Sequence, residues 1–200
     1  MFAPLRRLAL LLPVAMTACA APRTMPYEVQ EVRRLPPPEQ APPASPYPAE
    51  ARGDRLLIGA MLAGHNGERA RYGLAALTWD AALASAAESY ARQMAASGVL
   101  RHDTTPGRRK TMGENLFRGT KGAYRYDAMV GFWLAERRYF RPGIFPNVTT
   151  SGNWADVGHY TQMIWPTTTR VGCGVASNAR HDYLVCRYSP PGNKDGGRVG

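Results

Sequence analysis

The groups on this chain with the capacity for chemistry are few, and they sit in short, recognisable runs. The histidines are His65, His102, His159 and His181, and the cysteines are Cys19, Cys173 and Cys186. His65-Asn66-Gly67-Glu68-Arg69 holds an imidazole, a carboxylate and a guanidinium. Gly113-Glu114-Asn115-Leu116 holds a single carboxylate. Gly158-His159-Tyr160-Thr161-Gln162-Met163-Ile164-Trp165 holds an imidazole and a hydroxyl among aromatics. A His-Glu-x-x-His helix, which would set two zinc ligands on one face, is absent, and so is a nucleophile elbow. Catalytic residues are therefore not assigned.

The cysteines speak to compartment. Arg6 and Arg7 precede a short apolar run, Leu8–Ala15, broken by Pro13, and Met16-Thr17-Ala18-Cys19 closes it. Residues 1–18 thus read as a lipoprotein signal peptide, with Cys19 the lipidated first residue of the mature chain. An ordinary secretory signal with an incidental cysteine is the alternative. The run is shorter than the ~20 residues a membrane-spanning helix needs. Ala20 in place of Asp favours the outer membrane in a Gram-negative cell. With Cys19 lipidated, Cys173 and Cys186 remain, and a pair in an oxidising compartment reads as one disulfide.

The elements that must position these groups follow from pattern. Residues 19–52 form a linker, with nine prolines between 20 and 50. Its extended polyproline conformation reaches about 90 Å. The folded portion begins near Gly53. Asp54 is a candidate cap for a helix with Leu57, Ile58, Met61, Leu62 and His65 along one side and Gly73 at its end. Asp80 is a candidate cap for a second helix, Ala81–Ser97, stopped by Gly98. A third short helix is expected around Met112–Glu114 and a fourth over Tyr124–Tyr139, with Met129, Phe132 and Trp133 facing the core. Tyr160–Trp165, Arg170–Ala176 and Tyr183–Tyr188 are β-prone. A hairpin of the last two would bring Cys173 to Cys186, with His181 exposed in its turn. Residues 194–200 are expected to be a flexible tail. Helices followed by strands imply an α+β layer structure.

The formal net charge is +10, and residues 51–200 alone hold 20 Lys and Arg against 11 Asp and Glu. A basic domain suits anionic lipid or an anionic cell-wall polymer, unless the charge serves solubility only. Nucleic acid is not an expected partner of an exported chain.

The runs around His65, Leu77-Thr78-Trp79-Asp80, Glu114 and His159, with Tyr183-Leu184-Val185-Cys186-Arg187-Tyr188-Ser189-Pro190-Pro191-Gly192-Asn193, resemble the CAP superfamily in order and spacing. That superfamily comprises the cysteine-rich secretory, venom-antigen and plant pathogenesis-related proteins. The likeness covers residues 53–193 and is nearest the plant branch. It implies an αβα sandwich with a central antiparallel sheet flanked by helices. It also implies an open cleft with His102 and His159 as direct ligands of a divalent metal such as zinc, and Glu114 and Glu136 nearby. Neutral imidazoles suit zinc, carboxylates suit the surrounding shell, and two protein ligands leave positions open. The family commonly has serine after the first histidine; Asp103 stands here and is either solvated or adds a carboxylate to the metal environment. His65 reads as structural, with Asn66 and Arg69 bridging loops. The resemblance implies a monomeric, exported module binding a lipid, a sterol-like molecule or an envelope polymer. A metal-dependent hydrolase or peptidase in the same cleft is the alternative.

Overall fold

The computed structural model describes residues 52–200. The signal peptide, Cys19 and all of the linker except its last residue lie outside the described residues.

Helix α1 (Asp54–Ala70) buries Leu57, Met61 and His65 along one side, as their spacing predicts. Gly53 occupies the cap position without a side-chain bond, so Asp54 lies inside the first turn and acts there as a charge on the helix N-terminus. Strand β1 (Thr78–Trp79) leads into α2 (Ala81–Ser97). Asp80 Oδ1 accepts from the N–H groups of Ala82 and Leu83 at 2.9 and 3.0 Å, and Gly98 ends the helix at φ 71°. That left-handed conformation strains any residue with a Cβ. Then come α3 (Arg108–Thr111), β2 (Gly113–Thr120), α4 (Tyr126–Ala135) and a 3-10 turn, Glu136–Tyr139. Strand β3 (Gly143–Ile144), α5 (Gly158–Met163), β4 (Arg170–Ser177), β5 (His181–Ser189) and β6 (Arg198–Val199) complete the order.

The main sheet runs β1-β4-β5-β2, antiparallel except where β1 lies parallel to β4. Residues 182–188 of the central strand β5 are all buried. Successive side chains of a strand point to opposite faces, so β5 feeds two cores. Tyr183 and Val185, with Leu116 of β2, pack against Ala87, Tyr90, Ala91 and Met94 of α2. Leu184, Cys186 and Tyr188, with Phe117, pack on the other face against Leu57 and Met61 of α1 and Met129 and Trp133 of α4. Helices thus cover both faces, which is the αβα sandwich. Helix α2 comes unusually close to β4. A Cβ on Gly172 would lie 2.3 Å from Ala84 N, and one on Gly174 would lie 2.4 Å from Glu88 Cα. Glycines on the strand and alanines on the helix permit this approach. Cys173 faces Cys186 directly, with Cα atoms 4.1 Å apart, and the two form a disulfide. At the far end of β5, the buried Asp182 pairs with Arg52 at 2.7 Å, and Arg52 also donates to the Tyr124 carbonyl at 3.0 Å.

Several expectations fail. Residues 112–114 do not start a helix: α3 ends before them and β2 begins at Gly113. The helix expected over Tyr124–Tyr139 is shorter, and it tightens to 3-10 geometry at Glu136. The Tyr160–Trp165 run, rich in β-prone side chains, is instead occupied by α5, because long-range hydrogen bonds override its local preference. Residues 194–200 are not a free tail: β6 pairs with β3, and Val199 is fully buried beside Phe145 and Trp165. His181 is not in the turn either; it opens β5 and is half-buried.

Candidate functional site

Each cleft histidine rests on one glutamate. His102 lies in the loop between α2 and α3, and Glu114 is the second residue of β2; Nδ1 and Oε1 are 2.6 Å apart. His159 lies in the first turn of α5, and Glu136 opens the 3-10 turn after α4; Nδ1 and Oε1 are 2.5 Å apart. A carboxylate only accepts, so in both pairs Nδ1 carries a hydrogen, and in the neutral form of either imidazole Nε2 keeps its lone pair. Both pairs have the same depth order. The carboxylates are 1% and 11% exposed, the imidazoles 48% and 27%.

Both carboxylates make further contacts. Glu136 Oε2 accepts the backbone N–H groups of His159 and Tyr160, both at 3.0 Å. These bonds hold the start of α5, and Thr161 is fixed by its hydroxyl bond to Asn193 Oδ1 at 2.8 Å. Glu114 Oε1 also accepts the Asp103 N–H at 3.1 Å, and its Oε2 lies 2.8 Å from Arg187 Nη1. Burial lowers the pKa of His159, but the Glu136 charge and hydrogen bond outweigh it and leave the imidazole above its ordinary value. Trp133 stacks on the His159 ring, 5.9 Å between centroids and 14° between planes.

Strand β2 joins the two pairs. Glu114 points to the α2 face and serves His102. Asn115, one residue on, points to the other face, and its Nδ2 donates to the His159 carbonyl at 3.0 Å. Behind it, Tyr188 OH donates to His65 Nε2 at 2.8 Å, while His65 Nδ1 donates to the Met61 carbonyl at 2.7 Å. His65 is fully buried, and desolvation pushes its pKa down to about 4. It is structural, as expected. Asn66 bonds both the N–H and the C=O of Leu77, and Arg69 donates to the carbonyls of Ala75, Met163, Trp165 and Thr168.

Among the described residues, no group of three or more His, Cys, Asp or Glu side chains gathers closely enough to hold a metal ion. The four expected residues form two His–Glu pairs, not one four-donor cluster. Asp103 is not simply solvated: its Oδ2 accepts from Arg187 Nη2 at 2.8 Å. Burial raises the Asp103 carboxyl, yet hydrogen bonds from Thr105 and the Arg187 guanidinium hold it below the usual carboxylate range. Sequence reasoning passed over Arg187, Arg108 and Asn115. The one signal for Arg187 was a cation inside the otherwise apolar and aromatic run Tyr183–Tyr188.

Residues 62–188 match the model of the CAP family, described as the cysteine-rich secretory protein family. The chain belongs to this family. It is 35% identical over 135 residues to a pathogenesis-related protein PR-1 type of Sambucus nigra, covering 67% of this chain and 76% of that one. It is 37% identical over 138 residues to pathogenesis-related leaf protein 4 of Solanum lycopersicum, covering 68% and 79%. Among solved structures, NaASP2 with Zn2+ superposes with a TM-score of 0.59 at 25% identity, covering 74% of this chain and 87% of that one. BmVAL-1 superposes with a TM-score of 0.57 at 21% identity, covering 80% and 87%, and shows the same fold. The CAP fold places both His–Glu pairs at one end of β2, and the plant pathogenesis-related proteins named above agree with the branch read from the sequence.

Proposed function

We propose that this CAP domain is an exported binding module that takes a divalent cation, zinc foremost, at His102 and His159. The observation that carries the reading is the direction of the two imidazoles. Each gives Nδ1–H to a more deeply buried carboxylate and keeps Nε2 as the outward lone pair. That is the arrangement by which carboxylates orient and enrich metal-binding histidines. The crystal structure of the similar NaASP2 with Zn2+ supports the choice of metal. Two protein donors leave coordination positions for water or a ligand, so the site is open and its affinity modest. The disulfide supports an oxidising compartment. Tethering through a lipidated Cys19 and recognition of a lipid, a sterol-like molecule or an anionic envelope polymer complete the proposal.

Binding is favoured over metal-dependent hydrolysis for a structural reason. A general base needs a carboxylate oxygen free to take a proton from water. Glu136 accepts one imidazole and two amide hydrogens. Glu114 accepts from an imidazole and an amide through Oε1, and its buried Oε2 is tied up in an ion pair with the Arg187 guanidinium. The Thr161 hydroxyl is committed to Asn193. Calorimetry of zinc into the metal-free protein at pH 7.5 tests the reading. We expect one binding event, lost in the His102→Ala/His159→Ala double variant. Equal heats from both proteins would overturn it. Cleavage of a peptide library by zinc-loaded protein would restore the hydrolase.

A further inference from the structure

Beneath His102 lies a cluster of four charges, Asp103, Arg108, Glu114 and Arg187. Arg187 is its least expected member. It sits in the central strand with its side chain on the α2 face, 2% exposed, and its guanidinium carbon is 5.1 Å from the centre of the Tyr90 ring. A cation at such depth is costly unless paired. Both pairings use carboxylates at the site. Nη2 donates to Asp103 Oδ2 at 2.8 Å. Nη1 lies 2.8 Å from Glu114 Oε2, a close ion pair off hydrogen-bond alignment. Arg108 is the cluster's other buried cation, but it is committed elsewhere. It donates to the Asp103 and Met112 carbonyls and stands 3.6 Å from Glu114 Oε1. Arg187 is therefore the group that fixes the Oε2 end of Glu114, and fixing Oε2 determines where Oε1 lies under His102 Nδ1.

We propose that Arg187, itself held by Asp103, is a positioning residue of the cleft: it pins the Glu114 carboxylate so that Oε1 takes the Nδ1 hydrogen of His102 and the Nε2 lone pair faces outward. The Asp103 carboxylate is the group that accepts from Arg187 Nη2, so Asp103 and Arg187 are a matched couple. The use made of the lone pair rests on the metal reading above, but the couple's effect on the imidazole does not.

The test is the His102 tautomer, read from imidazole 15N shifts in metal-free protein at pH 8. The wild type should show Nδ1–H. Arg187→Gln should convert His102 largely to Nε2–H, the tautomer a free imidazole prefers. Arg187→Lys, which keeps the charge, should restore Nδ1–H in large part. Asp103→Asn should shift the balance part-way, and it decides the matter should Arg187→Gln not fold. An unchanged tautomer in the folded variants overturns the proposal, whatever zinc does. A converted tautomer in a protein whose wild type binds no zinc leaves the couple standing and removes the metal reading. Where the wild type binds zinc, Arg187→Gln should weaken it tenfold or more.

Discussion

Lowering the pH should destabilise this domain through His65, and the size of the effect follows from its surroundings. The imidazole is fully buried, with both nitrogens bonded in the neutral form, and its pKa falls from 6.5 to about 4. The unfolded chain takes up a proton below about 6.5 and the folded chain only below about 4, so between those values the unfolded state binds more protons. Stability then falls as the pH falls. The full loss below pH 4 is about 3 kcal/mol, and between pH 7.5 and 5.0 it is about 2 kcal/mol. Other groups titrate over the same range, and His159, whose pKa is raised, works in the opposite sense. A comparison with His65→Gln cancels them. Urea unfolding at both pH values should show the wild type losing about 2 kcal/mol more than the variant on acidification. The His65 ring proton shift should stay flat from pH 7.5 to 5.0, a check that needs no variant. Equal pH dependence in the two proteins, with His65 titrating near 6.5, would refute the reasoning.

Three other outcomes are expected. Reducing the Cys173–Cys186 bond should cost about 3 kcal/mol of unfolding free energy, from the short loop it closes; a denaturation midpoint unaffected by reductant would contradict this. Gly174→Ala should destabilise by about 3 kcal/mol, at the upper end of overpacking costs, because its Cβ meets the α2 backbone; a melting temperature within a degree or two of wild type would mean α2 can shift freely. Zinc affinity should fall as pH drops below neutrality, since protons compete for the imidazoles and His159 holds its proton to higher pH than a free histidine. Calorimetry at pH 7.5 and 6.0 with equal affinities would count against both histidines as ligands.

What the sequence disclosed was what local chemistry determines. Helix α2 could be read to the residue because an alanine-rich run begins at a capping Asp80 and ends at Gly98. The β4–β5 hairpin and its disulfide could be read because two β-prone runs carry the cysteines at matching positions. Helix α5 could not be read. Tyr160, Thr161 and Ile164 favour strands, and the groups that hold the helix, Glu136 and Asn193, lie more than twenty residues away in each direction. Val199, between Arg198 and Gly200, gave no hint that it fills the core under Trp165. The site divides along the same line. His159 and Glu114 stand in recognisable runs, and His102 and Glu136 followed from the family resemblance. The ion pairs of Arg187 depend on strand register, which brings it opposite Glu114, and on a loop that returns Asp103 to the sheet end.

The clasp between Arg52 and Asp182 bears on orientation. Asp182 sits opposite Gly119, five positions along β2 from Glu114, or about 17 Å of strand. Arg52 therefore lies at the end of the sheet remote from both histidines. Under the proposed tethering through Cys19, a pull through that side would turn the Arg52 end of the sheet to the bilayer and the imidazoles to the medium. A spin label on Lys121, beside the clasp, should then relax faster from paramagnetic lipid headgroups than one on Arg101. The reverse order would mean the molecule lies with its cleft against the membrane.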